Sequence, residues 1–350
     1  MTMQRPTRTR RAFSLIELLV TIAVIAIVVA ILVPTLSGAR NTARAAGSQA
    51  QLTEISQAST QFFSDEQRLP GYFTPRQMGD AANEARGFSG MQNIMLDLAG
   101  GIVDPAATGE NIVSVGPTGD DAIDVKVDLT FIGTTEAGGG YYTPDATRFI
   151  AQDSPDLGLL EGEPDHQTLP SVIDTFNTPI LAWQRDRTAI QPIESLADFV
   201  ADEYSGDVPS RFYWASNAGF LKPTDLGKRG KNPTFTTSAA SREYSIIGDG
   251  VSPDPELLNH LAILLGSPTV PNEAEPAAPA TARGDLILHS AGIDAMYMSS
   301  SDVGAGTELF FWQSFFSDSA GGERIQSGSG QVESVDLLDR FDDLIETVGN

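Results

Sequence analysis

The chain has 350 residues, 41% hydrophobic and 19% charged, with 46 acidic against 22 basic residues and a net charge of −24. So acidic a balance argues against nucleic-acid binding, which needs a basic surface. The absence of cysteine excludes disulfides, thiol nucleophiles and cysteine-based zinc sites. The charge is also unevenly placed. Residues 1–50 hold six Arg and one Glu, whereas residues 51–350 hold 16 Lys and Arg against 45 Asp and Glu, a balance of −29. An acidic body of this kind favours cation binding or plain solubility outside the cytoplasm.

The opening MTMQRPTRTRRA holds Arg5, Arg8, Arg10 and Arg11 and no acid. Basic residues ahead of a hydrophobic segment keep that end on the cytoplasmic side. From Phe13 to Val33 there is no Lys, Arg, Asp or Pro, and about 20 apolar residues suffice to cross the hydrocarbon core. A secretory signal would have a shorter apolar core followed by a small-residue cleavage site. The pattern therefore predicts a single membrane span with the rest of the chain on the extracytoplasmic side. Within the run sits one carboxylate, Glu17. An acid inside a span costs on the order of a few kcal/mol and is functional or paired by default. The nearest available cation is the α-amino group that a cut after Ala12 would create at Phe13. In its own helix that amine points away along the axis, so the amine of a neighbouring subunit is the better partner. Glu17 thus reads as an assembly residue.

The stretch RRAFSLIELLVTIAVIAIVVAILVPTLSGAR resembles the prepilin-type cleavage and methylation segment of type IV pilins and type II secretion pseudopilins. Phe13, Ser14, Leu15, Ile16 and Glu17 follow the family order after a short basic leader, with Ala12 where glycine is usual before the cut. The resemblance implies removal of residues 1–12 by a prepilin peptidase, N-methylation of Phe13, and extraction by an inner-membrane assembly platform into a filament with other pilin or pseudopilin subunits. Pro34 removes a backbone bond and Gly38 weakens the next turn, so the helix can bend or locally unwind there. Beyond it Ala39, Ala43, Ala46 and Ala50 recur at helical spacing, continued by Leu52, Ile55 and Phe62. Small residues let helices approach closely; the C-terminal half of the stripe is expected to pack on the chain's own body.

Three parts follow: a cleaved leader, 1–12; a hydrophobic to amphipathic helix, 13–64; and an extracytoplasmic body, 65–350. In the body, DVKVDLTFI alternates apolar and polar residues from Asp124 to Ile132, the pattern of a half-exposed strand. PILAWQRD, RFYWAS, REYSII and GDLILHSAG are further strand candidates. MQNIMLDLAGG and SPDPELLNHLAILLG read as short amphipathic helices, the second with Asp254 at its cap and Gly266 as its stop. The proline-rich SPTVPNEAEPAAPATAR, 267–283, reads as an exposed loop. The expected fold class is α+β, a long N-terminal helix on an antiparallel-sheet body. Large insertions around 71–170 and 190–285 enlarge it beyond the usual pseudopilin body.

Two body segments extend the resemblance. DTFNTPILAW, Asp174 to Trp183, is similar to the Asp-x-Trp-Gly-x-Pro motif of major pseudopilins, with Asn177 in place of glycine. Asn is the non-glycine residue that best tolerates positive φ. LILHSAGIDAMYMSSSD, Leu286 to Asp302, is similar to the family's Ser-Ala-Gly-Pro-Asp-Gly turn, with Ile293 and Ala295 departing from it. In that class the following loop often binds calcium, a hard cation wanting six to eight oxygens, which makes Asp294 and Asp302 candidate Ca²⁺ ligands. The bland alternative is a turn in which Asp294 accepts backbone N–H bonds.

Nothing in the sequence points to catalysis. His166, His260 and His289 show no metal-protease spacing, and neither a Gly-x-Ser-x-Gly elbow nor a phosphate-binding Gly-x-x-x-x-Gly-Lys is present. The run ELFFWQSFF, 308–316, reads as core or as a sticky contact surface. The sequence favours a non-enzymatic filament subunit of a secretion pseudopilus, ahead of a surface pilus subunit for adhesion, motility or DNA uptake. A membrane-tethered enzyme or binding protein comes third.

Overall fold

A computed structural model describes residues 15–117, 124–134, 140–150, 169–206, 208–222, 245–248, 255–266, 279, 281–300, 302, 338 and 341–349. The leader and the Ala12–Phe13 junction, His166, Asp254, most of the 267–283 loop and the 308–316 aromatic run lie outside the described residues.

The chain is α+β. Helix α1 spans Leu15–Glu66, followed by the short helices α2 (Pro75–Met78), α3 (Ala81–Arg86) and α4 (Gly90–Leu98). Strands β1 (Ile102–Val103), β2 (Ile112–Val115), β3 (Val125–Asp128), β4 (Phe149–Ile150), β5 (Ser171–Val172) and β6 (Leu181–Gln184) come next. Then follow α5 (Leu196–Phe199), β7 (Val200–Ala201), β8 (Phe212–Tyr213), a 3-10 turn (Trp214–Asn217), α6 (Ala218–Leu221), α7 (Pro255–Leu265), β9 (Leu286–Ser290) and β10 (Leu344–Val348).

Two compact units divide the chain at Arg44/Ala45. In the first, the described residues are all helical. Their apolar side chains face outward from end to end, Leu15 being 81% and Ile31 62% exposed. This part of α1 is long and apolar enough to cross a membrane. The helix continues unbroken through Pro34 and Gly38, so the missing proline N–H does not end it.

The second unit begins at Ala45, about twenty residues before the change of sequence pattern at 65. The reason is burial: Leu52, Ile55 and Phe62 on the C-terminal half of α1 share one core with Met91, Ile94, Met95 and Leu98 of α4. Helix α4 starts where Ser89 and Gln92 form a reciprocal capping box. The central sheet has strand order β10-β9-β6, both pairings antiparallel. Because side chains alternate along a strand, β9 serves two cores. Leu286 and Leu288 join the α1–α4 core. Ile287 joins Leu181, Trp183, Phe212, Trp214 and the α7 leucines on the other face. The described residues of 190–222 and 245–266, part of the 190–285 stretch that reads from sequence as an insertion, thus cover one face of the sheet. A second antiparallel sheet, β1-β3-β2, packs Val115 and Val127 against Phe73 and Phe88. A parallel pair, β7–β8, is the exception to the antiparallel rule among the described strands.

Several predicted strands are shorter than their alternation suggested. In DVKVDLTFI the ladder stops at Asp128, whose carboxylate accepts the Thr130 N–H at 2.9 Å and its hydroxyl at 2.7 Å, a side-chain turn that competes with pairing. RFYWAS is strand only at Phe212–Tyr213 and then coils into the 3-10 turn. Of REYSII, the described residues make a single bridge, Ser245 to Ser299. Helix α7 and its stop at Gly266 form as expected.

Candidate functional site

The two sequence motifs of the body meet. Strands β6 and β9 pair with Leu181 opposite His289, which brings the turn preceding β6 beside the end of β9. Asp174 is 1% exposed and organises that turn. Its Oδ1 accepts the N–H groups of Phe176 (2.8 Å) and Thr178 (2.9 Å), and its Oδ2 accepts the Ser290 hydroxyl at 2.6 Å, across 116 positions of sequence. Burial pushes the Asp174 carboxyl above its ordinary pKa, and the donors around it pull the other way. Asn177 has φ 67°, the positive value expected of a residue standing for glycine. On its other side the turn meets α1: Thr175 N–H donates to Ser48 Oγ at 3.1 Å, and Gln51 Nε2 donates to the Ile173 carbonyl at 3.1 Å.

After Ser290 the chain turns. Gly292 has φ 68°, and an added Cβ would collide with the Asp342 carbonyl, so glycine is required twice over. Ala295, where the family turn has its second glycine, holds φ 61°. Asp294 Oδ1 accepts the Met296 N–H at 2.8 Å, the turn-stabilising role anticipated for it.

Asp294 does more than close a turn. One carboxylate oxygen from each of Asp294, Asp302 and Asp342 lies within 4.8 Å of the others. The sequence reading paired Asp294 with Asp302 and missed Asp342, whose place forty positions later carries no spacing signal. Asp342 Oδ2 accepts the N–H groups of Ile293 (2.7 Å) and Asp294 (3.1 Å), while Asp342 Oδ1 is sealed from solvent with no hydrogen-bond partner among the described residues. Asp302 Oδ2 accepts the Asp342 N–H at 3.3 Å. Burial first, and then the neighbouring Asp342 charge, pushes the Asp294 carboxyl up to about 7. Burial raises Asp302 to about 6, and Asp342 shifts upward for the same leading reason. Three hard oxygen donors held close, one with an orphaned buried atom, suit a divalent cation such as Ca²⁺. They would supply three of its six to eight oxygens, with carbonyls, hydroxyls or water left to complete the shell.

The neighbouring histidine has another task. His289 and Asp343 are both buried, and His289 Nε2 bonds to Asp343 Oδ1 while that carboxylate accepts the Met298 N–H at 2.9 Å. His260 Nδ1 contacts the Ile246 carbonyl at 3.0 Å. Both rings are core residues. At the other end of the chain Glu17 lies on the exposed apolar surface of α1, while Ala12 and Phe13 precede the described residues.

Residues 7–33 match the family model described as the prokaryotic N-terminal methylation motif. No curated protein and no solved structure matches the chain.

Proposed function

Because the chain carries the signature of type IV pilin-like subunits, which a prepilin peptidase cleaves and which assemble into filaments, we propose that it is a structural subunit of a type II secretion pseudopilus-like filament. In this reading residues 1–12 face the cytoplasm and are removed, Phe13 becomes the methylated N-terminus, and residues beyond the span lie outside. Glu17 accepts the Phe13 ammonium of the adjacent subunit as the apolar helices leave the bilayer. The observation that carries the choice of pseudopilus over surface pilus is the joining of DTFNTP to HSAG through Asp174 and Ser290, two segments similar to major-pseudopilin motifs. The layer formed by the described residues of 190–222 and 245–266 suits a specialised subunit of low copy number. The same reading includes one Ca²⁺ held by Asp294, Asp302 and Asp342, supported by their 4.8 Å grouping and the orphaned Asp342 oxygen. Bound there, the ion neutralises three acids that otherwise repel one another.

The experiment is done in the native host. Intact mass of the purified protein should correspond to a chain beginning at Phe13, with one added methyl. Deleting the gene should impair release of secreted proteins while leaving surface pili in place. A chain that still begins at Met1 with the peptidase present overturns the processing step. Loss of surface pili with unchanged secretion makes it a surface pilus subunit instead.

A further inference from the structure

We propose that Arg185 and Arg211 hold a small oxyanion between the segment that follows β6 and the segment that precedes β8. The site is separate from the acidic turn after β9, and its test does not depend on the filament reading.

The backbone brings the two arginines into neighbouring rows. Arg185 N–H donates to the Asp285 carbonyl at 2.8 Å, and the next residue, Asp186, donates its N–H to the Arg211 carbonyl at 2.7 Å. Four guanidiniums gather around this crossing, and three of them have carboxylate partners. Arg76 pairs with Asp186 at 3.0 Å, while Arg185 and Arg187 share Asp285 at 3.2 and 2.6 Å. Arg211 pairs with no carboxylate among the described residues. Its Nη2 donates instead to a neutral acceptor, the Gln191 carbonyl, at 2.6 Å. The nearby Asp198 is committed elsewhere, its Oδ2 accepting the Glu194 and Ser195 N–H groups at the start of α5.

A buried charge is costly unless it is paired, and Arg211 is only 7% exposed. Two donors are also left over. Arg211 Nη1 and Arg185 Nε are sealed from solvent and have no hydrogen-bond partner among the described residues, a state that calls for an ion or water to complete it. Burial first, and then the Arg185 charge, lowers the Arg211 pKa below its ordinary value, so the two guanidiniums stand close enough to repel. An anion between them meets both charges and both N–H groups. An oxyanion suits these donors, because a guanidinium presents planar N–H pairs that match carboxylate and phosphate oxygens. The Arg185 side chain is 30% exposed, which gives the site its way to solvent.

The test is calorimetric titration of the full-length protein in detergent at pH 7 with inorganic phosphate and, separately, with acetate. At least one should bind saturably, at one site per chain. At a hundred times its Kd that anion should raise the melting temperature by about 5–11 °C over chloride at matched ionic strength. Phosphate also stabilises proteins by exclusion from their surfaces, so the variants decide. Arg185→Gln leaves Asp285 paired with Arg187 and keeps the fold, and it should weaken binding by about tenfold or more. Arg211→Gln should lose saturable binding, while Arg40→Gln, at an exposed arginine of α1, should bind as wild type. Absence of saturable binding by both anions overturns the site. Wild-type affinity in Arg185→Gln overturns it as well, even where Arg211→Gln fails to fold, and leaves only exclusion or diffuse screening.

Discussion

Replacing Asp174 separates two explanations of how the DTFNTP turn is held: its charge, or its three accepted hydrogen bonds. The side chain is 1% exposed and takes bonds from Phe176 N–H, Thr178 N–H and Ser290 Oγ at 2.8, 2.9 and 2.6 Å. Asp174→Ala strands these donors, and each buried unsatisfied group costs about 1–3 kcal/mol. The Ser290 hydroxyl can rotate and the Phe176 N–H is only partly buried, so the expected loss is about 3–5 kcal/mol. Asp174→Asn keeps an oxygen for both N–H groups and turns an amide donor toward Ser290, whose hydroxyl can accept. Burial already disfavours the charge at this position, so its removal offsets part of any loss, leaving a change of about 0–1 kcal/mol. At roughly 2–4 °C per kcal/mol for a large domain, thermal melts of the full-length protein in detergent should fall by about 6–20 °C for Ala and about 0–4 °C for Asn. A fall for Asn as large as that for Ala would show that the charge, and not the donor set, holds the turn. An Ala variant that melts with wild type would remove Asp174 from any structural role.

Other expectations follow from the same sites. Ala295→Gly should raise stability by about 0.5–1 kcal/mol, because relief of a left-handed alanine exceeds the added chain entropy of glycine; a lower melting temperature would mean that the Ala295 methyl makes packing contacts worth more than the strain. In EDTA, stability should fall as pH rises from about 5 to 7. Asp294 at about 7 and Asp302 at about 6 keep protons in the folded state that the unfolded chain has already released near pH 4, so deprotonation penalises only the fold. Ca²⁺ should reverse this slope, and Asp294→Asn should flatten it; an unchanged slope in the variant would place its origin elsewhere. Glu17→Val should insert and be cleaved normally yet fail to enter filaments, as scored by membrane fractionation and shearing. Wild-type incorporation of Glu17→Val would remove the pairing role.

The N-terminal segment was legible in the residues themselves because its signals are local. A basic leader, a spanning apolar run and one acid next to a cleavage junction act as a linear pattern, read by a bilayer and a peptidase before the body matters. Helices α4 and α7 were legible for the same reason, through apolar spacing and glycine stops. Even the positive φ of Asn177 followed from its being the best substitute for glycine. The rest required closure of the chain. Strand β10 was invisible because LIETV is five residues long, carries a charge and, among the described strands, is paired only through β9. Alternation overran the true end of β3 because a side-chain bond from Asp128 outcompeted the ladder. The status of the described residues of 190–222 and 245–266 as one face of the core, and not an appendage, depends on which side of β9 each residue takes. Asp342 joins Asp294 only because β10 pairs antiparallel to β9 in one register, Leu344 opposite Ser290. A shift of one residue would send alternate side chains to the other face; contacts between distant segments are set by register, and register is a property of the folded chain.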